Sequence, residues 1–403
     1  MIFQNKQVAK DIFYVGVNDR QKAKFENIIP LPFGVSYNSY LIIDDKTALM
    51  DTVDFHQGEI FIDKIQSQLQ GRKLDYLIIN HMEPDHSGSI RLIRKYFPEV
   101  ILVGNLRTLK MIEGFYGETS CLKEIHDEEI LSLGTHELQF FLVPMVHWPE
   151  TMMTFDRTEK VLFSGDAFGC FGALDGAVID TEMNVEKYWD EMIRYYANII
   201  GKYGSPVQKA IQKLSGVPFE TICTTHGPVW RENIQKTVNI YDQLSKYEGR
   251  NGVVIVYASM YGNTELMAET IAQGLAEAGV KEITIHNAST TDASFILRDI
   301  FKYKGLIIGS PTYNSELFPE IEALLQKIEL RQIKNRIFGC FGSYTWAGAA
   351  VDHLSLFAEK MKWIMIDKGV EEKQALKDNQ YKACLQLGLK MGEMLKQSFQ
   401  QEK

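Results

Sequence analysis

Cysteine is scarce and badly placed for pairing. The 403 residues hold five, Cys121, Cys170, Cys223, Cys340 and Cys384, an odd number with no CxxC among them. That argues against a disulfide framework, a zinc ribbon and a cysteine-ligated iron centre within the chain. No block of Lys and Arg occurs and the formal net charge is -9, so a nucleic-acid surface is not expected. No apolar run approaches the roughly 18 residues that a membrane span needs. The first 16 residues carry scattered charges and not the apolar core and small residues of a secretory signal. Together these absences predict a soluble, cytoplasmic protein with no nucleic-acid and no membrane partner.

What is present suits a globular chain: 45% of residues are apolar and 24% charged. The length is comfortable for two domains. A helical pattern over 232–247, with Ile234, Val238, Tyr241 and Leu244 on one face, runs into the polar, glycine-punctuated stretch 248–252. The compact apolar run 253–257 then reads as a buried strand. The boundary is therefore placed at 250, giving domains 1–250 and 251–403. The acidity is uneven, because residues 251–403 hold 17 Lys+Arg against 18 Asp+Glu and leave about -8 of the charge to the first domain. Bound cations could offset part of it.

In the first domain, 40–43 and 47–50 predict a hairpin, 60–69 a helix and 76–79 a buried strand. The second alternates regularly. Strand-like runs at 253–257, 283–286, 306–309 and 337–341 are separated by helix-like stretches near 264–278, 292–301, 319–329 and 349–360, the pattern of a parallel sheet covered on both faces.

Directly after the strand at 76–79 comes Asn80-His81-Met82-Glu83-Pro84-Asp85-His86-Ser87-Gly88-Ser89, with four potential metal ligands in six positions: His81, Glu83, Asp85 and His86. A loop at a strand's end combines a rigid base with access. Further candidates are His147 before Trp148 and Pro149, Asp166 after Ser164-Gly165, and His226 before Gly227-Pro228. Taken singly, His226 also suits a turn, Asp166 a helix cap and His147 a packed imidazole. Taken together, four histidines and three carboxylates can serve two metals. With Asp166 shared, each metal receives two imidazoles and a terminal carboxylate, a set with open positions that favours non-haem iron over zinc.

The H-x-E-x-D-H loop, followed by an isolated His, Ser-Gly-Asp and Thr-His-Gly, resembles the metallo-β-lactamase-like domain of flavodiiron proteins. The likeness covers most of residues 1–250 and implies an αββα sandwich with metals at one edge. Carried over, it implies that His81, Glu83 and His147 hold one iron, that Asp85, His86 and His226 hold the other, and that Asp166 lies between them. Hydrolases of this fold typically carry His where Glu83 stands, so the alternative is a dizinc hydrolase fused to a flavodoxin-like module.

In the second domain the strand 253–257 leads into Ser259, Met260, Tyr261, Gly262, Asn263 and Thr264 and then a helix. Free N–H groups and the helix dipole favour a phosphate there, and no Walker lysine or dinucleotide glycine pattern is present. Two later strand ends carry Pro311, Thr312, Tyr313 and Asn314, and Ser343, Tyr344, Trp346 and Gly348. Loops at the carboxyl ends of a doubly wound sheet bind ligands. Trp346 is the choice for a ring flanking a flat cofactor, with Tyr313 or Tyr344 as the other. The pattern resembles flavodoxin over residues 251–403, which implies strand order 2-1-3-4-5 and flavin mononucleotide (FMN) as cofactor.

The pairing of the two domains points to the flavodiiron family as a whole. The resemblance implies reduction of dioxygen to water, of nitric oxide to nitrous oxide, or both, at a diiron site fed by FMN. It implies a head-to-tail homodimer or dimer of dimers that brings one subunit's flavin beside its partner's metals. With no cysteine-rich module after residue 403, electrons are expected from outside. A rubredoxin-type donor is expected, with reduced deazaflavin as the alternative.

Overall fold

The computed structural model describes residues 4–401. They form two compact units: residues up to Tyr195 with Ser205–Asp242, and Tyr196–Gly204 with Gln243 onward. The first unit holds a seven-stranded sheet and a five-stranded sheet. In the larger, the predicted hairpin is present as Tyr40–Ile43 and Thr47–Met50, paired from Tyr40 with Met50 to Ile43 with Thr47. Beyond it Tyr76–Ile78, Ile101–Gly104 and Leu122–Glu124 run parallel. The smaller sheet runs in sequence order from Ile130–Ser132 through Glu137–Leu142, Met152–Asp156 and Val161–Gly165 to Thr221–Thr224. Its last three strands are buried along their whole length, as strands covered on both faces must be. The sheets meet through Tyr40, whose ring lies 5.5 Å from Phe163 and whose hydroxyl donates to Thr224 O at 2.8 Å.

Helices follow from simple patterns. Gly58–Leu69 buries Phe61, Ile62, Ile65 and Leu69 on one stripe and stops where Gln70 turns left-handed. Leu106–Tyr116 begins at Asn105, whose side chain accepts from the N–H groups of Arg107 and Thr108. The helix predicted over 232–247 spans Ile234–Ser245.

The second unit is a parallel sheet in the order Ile283–Asn287, Arg250–Tyr257, Tyr303–Pro311, Ile337–Tyr344, with Ile364–Met365 and Val370–Lys373 both pairing to the last of these. This is the 2-1-3-4-5 order that the flavodoxin likeness implies, with the fifth strand in two short pieces. The helices Asn263–Glu277, Ala293–Lys302, Pro319–Leu330 and Ala350–Lys360 fall where the alternation predicts them. A 24-residue helix, Asp378–Gln401, is added. It packs on Asn263–Glu277 so closely that a Cβ on Gly274 would sit 2.2 Å from Leu385 O, and one on Gly388 2.2 Å from Ile271 O. Met267, Ile271, Leu275, Leu387, Met391 and Leu395 share the core beside that crossing. Among the described residues no helix is long and apolar enough to cross a membrane.

One buried ion pair in this unit has a pH consequence. Asp299, 1% exposed, accepts from Arg298 Nε at 2.7 Å and lies 2.8 Å from His286 Nε2. Burial pushes its carboxyl up, but His286 and Arg298 outweigh that and hold it below the ordinary 3.8. Its stabilisation is therefore present above the ordinary carboxylate value and is lost as pH falls through the depressed one. Asp299→Asn should lower the unit's stability by roughly 2–4 kcal/mol at pH 7. Thermal unfolding of the two proteins should converge in strong acid. A gap that stays constant down to that pH would contradict this account.

Candidate functional site

All seven predicted ligands are buried, with Asp85 the most accessible at 8% and Glu83 and His147 at 6%. The strand Tyr76–Ile78 delivers the loop that carries His81 and Glu83, and the single helical turn Pro84–Ser87 carries Asp85 and His86. His147 comes from the connection between Glu137–Leu142 and Met152–Asp156. Asp166 follows Val161–Gly165, and His226 follows Thr221–Thr224. One sheet thus supplies four of the groups and the other supplies three.

The side chains form two sets. His81, Glu83, His147 and Asp166 each offer an atom within 4.8 Å of the others, and so do Asp85, His86 and His226. Asp166 faces both. Its Oδ2 lies 3.1 Å from His147 Nε2 and 3.5 Å from His81 Nε2, while Oδ1 lies 2.8 Å from His86 Nε2 and 3.7 Å from His226 Nε2. Burial alone would raise Asp166, but the imidazoles of His86 and His147 hold it well below the carboxylate range. Burial likewise opposes charge on His86 and His147, and the carboxylates overcome it, raising His86 (Asp85, then Asp166) and His147 (Asp166, then Glu83) to about 9.

His147 Nε2 is within hydrogen-bond distance of Glu83 and Asp166, 3.1 Å from each, but most of the other close approaches are not hydrogen bonds. His81 Nε2, His86 Nε2, His226 Nε2 and both oxygens of Asp85 are buried without a hydrogen-bond partner. Orphaned polar atoms in such number are costly in a native interior. Imidazole and carboxylate lone pairs converging on shared points are what a pair of cations satisfies, so these residues fit two metal ions.

Sequence reasoning missed the groups behind the ligands. Glu150 accepts from His81 Nδ1 at 2.8 Å. Ser36 O accepts from His226 Nδ1 at 2.7 Å, and Thr225 Oγ1 donates to Asp166 Oδ1 at 2.6 Å. Asp51 accepts from the backbone and side-chain N–H groups of Asn80 at 2.7 and 2.9 Å, which sets the start of the ligand loop. Only Thr225, adjacent to a candidate ligand, carried a signal in the sequence. Trp148 packs edge-on against His81, centroids 5.2 Å apart. A cavity of about 510 Å³, lined by Lys22, Phe25, Phe55, His56, Phe115 and Tyr116, opens onto Glu83 and Asp85.

The fourteen residues predicted to hold the flavin lie at the carboxyl ends of three adjacent strands, in the loops there and in the strand and helix residues that flank them, and hydrogen bonds lock those loops together. Thr264 Oγ1 and Ser343 Oγ are 2.9 Å apart. Thr312 N donates to Ser343 O at 2.8 Å, and Thr312 Oγ1 accepts from Ala349 N at 3.0 Å. In the first loop Ser259 Oγ accepts from Gly262 N at 3.0 Å. Gly262, at φ 91°, opens the helix Asn263–Glu277 with no side-chain cap, so the first-turn N–H groups have no capping acceptor. In the second, Tyr313 and Glu316 exchange backbone hydrogen bonds at 2.9 Å around Asn314 and Ser315, both at positive φ. Tyr261 is 92% exposed and Trp346 85%, with Met260 and Tyr313 also exposed. Large apolar rings left in solvent beside a capless helix start fit a flat, phosphate-bearing cofactor.

A family model described as ODP family beta lactamase matches residues 35–227, and a flavodoxin model matches residues 255–388. The anaerobic nitric oxide reductase flavorubredoxin of Vibrio vulnificus is 33% identical, with 86% of this chain and 71% of that protein aligned. The chain belongs to the flavodiiron protein family. An uncharacterized protein of Methanocaldococcus jannaschii, 31% identical over 98% of this chain and 100% of its own, is similar throughout. Among solved structures, the rubredoxin oxygen:oxidoreductase of Desulfovibrio gigas matches this flavodiiron chain with a TM-score of 0.93 at 29% identity, covering 98% of this chain and 100% of that one. The flavodiiron protein from Giardia intestinalis matches with a TM-score of 0.93 at 26% identity, over 98% and 97%.

Proposed function

We propose that this chain is a flavodiiron reductase that reduces dioxygen to water, nitric oxide to nitrous oxide, or both, at two irons fed by FMN. The observation that carries the reading is Asp166, whose two oxygens each face a different set of imidazoles, in a chain that also presents three locked flavin loops. His81, Glu83 and His147 would hold one ion and Asp85, His86 and His226 the other, with Asp166 facing both sets. When bound, the iron pair supplies redox electrons and open positions for a diatomic ligand, and FMN restores those electrons.

The chain's own residues do the rest. Glu83 and Asp85 would present the ions to the cavity, where the rings of Phe25, Phe55 and Phe115 offer apolar surface to a small uncharged gas beside the charged groups of Lys22, Glu26 and Asp54. Ser259 and the N–H groups opening the helix Asn263–Glu277 take the FMN phosphate. Met260, Tyr261, Asn263 and Thr264 complete that loop. Trp346 and one of Tyr313 and Tyr344 flank the ring, while Pro311, Thr312, Asn314, Ser343 and Gly348 line its edge. The domains are 1–250 for the metals and 251–403 for FMN. The protein works in the cytoplasm as a head-to-tail homodimer or dimer of dimers, with electrons from a rubredoxin-type donor or from reduced deazaflavin.

Purified protein should hold two iron ions and one FMN per chain. After anaerobic reduction through rubredoxin, its flavin should re-oxidise rapidly on mixing with oxygen or nitric oxide. Two zinc ions with negligible iron, or re-oxidation no faster than free FMN, would refute the proposal.

A further inference from the structure

The four imidazoles are not supported alike. His226 donates from Nδ1 to the neutral backbone oxygen of Ser36, and His86 Nδ1 is buried with no partner. His81 alone among these three has an anion behind it. Glu150 Oε1 lies 2.8 Å from His81 Nδ1 and accepts from Met82 N at 2.9 Å, with both the Glu150 and His81 side chains fully buried. The turn that carries Glu150 is held by bonds independent of any metal. Asn105 Nδ2 donates to Glu150 O at 2.6 Å, and Arg107 donates to Pro149 O at 2.8 Å.

Two consequences follow from elementary chemistry. A carboxylate can only accept, so the His81 ring proton stays on Nδ1 and the Nε2 lone pair is aimed at Glu83 and Asp166, 3.4 and 3.5 Å away. A carboxylate behind an imidazole N–H also makes that imidazole a stronger donor. In addition, Glu150 Oε2 is buried with no partner. A half-satisfied buried carboxylate is costly unless positive charge lies close by. A cation on the far side of His81 supplies that charge, and no Lys or Arg is paired with Glu150 among the described residues.

We propose that Glu150 is a positioning residue that makes the two metal positions unequal. The ion on His81, Glu83 and His147 is the more tightly held, and it owes that to the carboxylate behind His81. The inference rests on the dinuclear reading above and extends it to an order of metal release.

The test starts from the anaerobic, ferrous holoprotein and follows iron loss to a strong ferrous chelator. Wild-type protein should release two ions per chain in two phases. Glu150→Ala should accelerate the slower phase roughly 10–100-fold and leave the faster one within about twofold, an unchanged phase that also reports an intact fold. Glu150→Gln, whose amide oxygen still accepts from His81 and Met82 but carries no charge, should accelerate the slower phase by about threefold to tenfold, between wild type and Glu150→Ala. If Glu150→Ala does not fold, Glu150→Asp takes its place. One methylene too short to reach His81, it should show the same selective acceleration. Acceleration of both phases together, a Gln variant that releases iron no faster than wild type, or an Ala variant indistinguishable from wild type would overturn the role of Glu150 alone. A wild-type protein that yields no iron would overturn the dinuclear reading and this role with it.

Discussion

Asp166→Ala should leave the protein with at most one tightly bound metal ion per chain and slow gas reduction by a factor on the order of 10³. Among the described residues no other side chain is placed as this one is, with Oδ1 2.8 Å from His86 and Oδ2 3.1 Å from His147. Removing it takes the shared anionic donor from both ligand sets at once. It leaves four clustered histidines with only Glu83 and Asp85 to balance two dications. Thr225, which donates to Oδ1 at 2.6 Å, also loses its acceptor. FMN content should not change, because the flavin loops belong to the other unit. Metal analysis, flavin absorbance and stopped-flow kinetics on one preparation separate these effects. Full iron occupancy with wild-type rates would remove Asp166 from the centre of the argument.

The second large effect is one of stability and has an unusual sign. Gly→Ala inside an exposed helix normally stabilises by about 1 kcal/mol. Gly114, in the helix Leu106–Tyr116, has nothing within 4 Å of its would-be Cβ and should follow that rule. Gly388→Ala should do the opposite and destabilise by roughly 2–4 kcal/mol, since its Cβ would meet Ile271 O at 2.2 Å and Leu275 N at 2.8 Å. Those atoms are backbone and cannot swing aside, so the two helices must separate and loosen Met391 and Leu395 from the core. Because Asn263–Glu277 begins at the proposed phosphate loop, FMN should be lost at a lower temperature too. Release of flavin fluorescence on heating measures this, and a Gly388→Ala midpoint equal to or above wild type would contradict it.

The clustered residues were legible in the sequence as candidate ligands because metal chemistry limits which side chains serve and because His81, Glu83, Asp85 and His86 crowd six positions. His147, Asp166 and His226 were weak singly and became persuasive only as a set. Glu150 gave no sign. A glutamate after proline reads as a solvated turn, and only the fold shows it buried behind His81. Asp51 escaped for the same reason, since its partner Asn80 lies 29 positions away. The parallel sheet of the second unit was readable from its regular alternation. Strand order in the first unit depends on distant pairings, such as Val161–Gly165 with Thr221–Thr224, that no local pattern encodes.

Four of the seven proposed ligands hang from one sheet and three from the other, so a metal pair bound among them would act as a clasp. Pulling the sheets apart then means giving up both ions. The heat resistance of this half of the molecule becomes a function of free iron in the medium, rising by about 1.4 kcal/mol per ion for each tenfold increase once free iron exceeds the dissociation constant. Iron starvation would thus soften the protein as well as silence it.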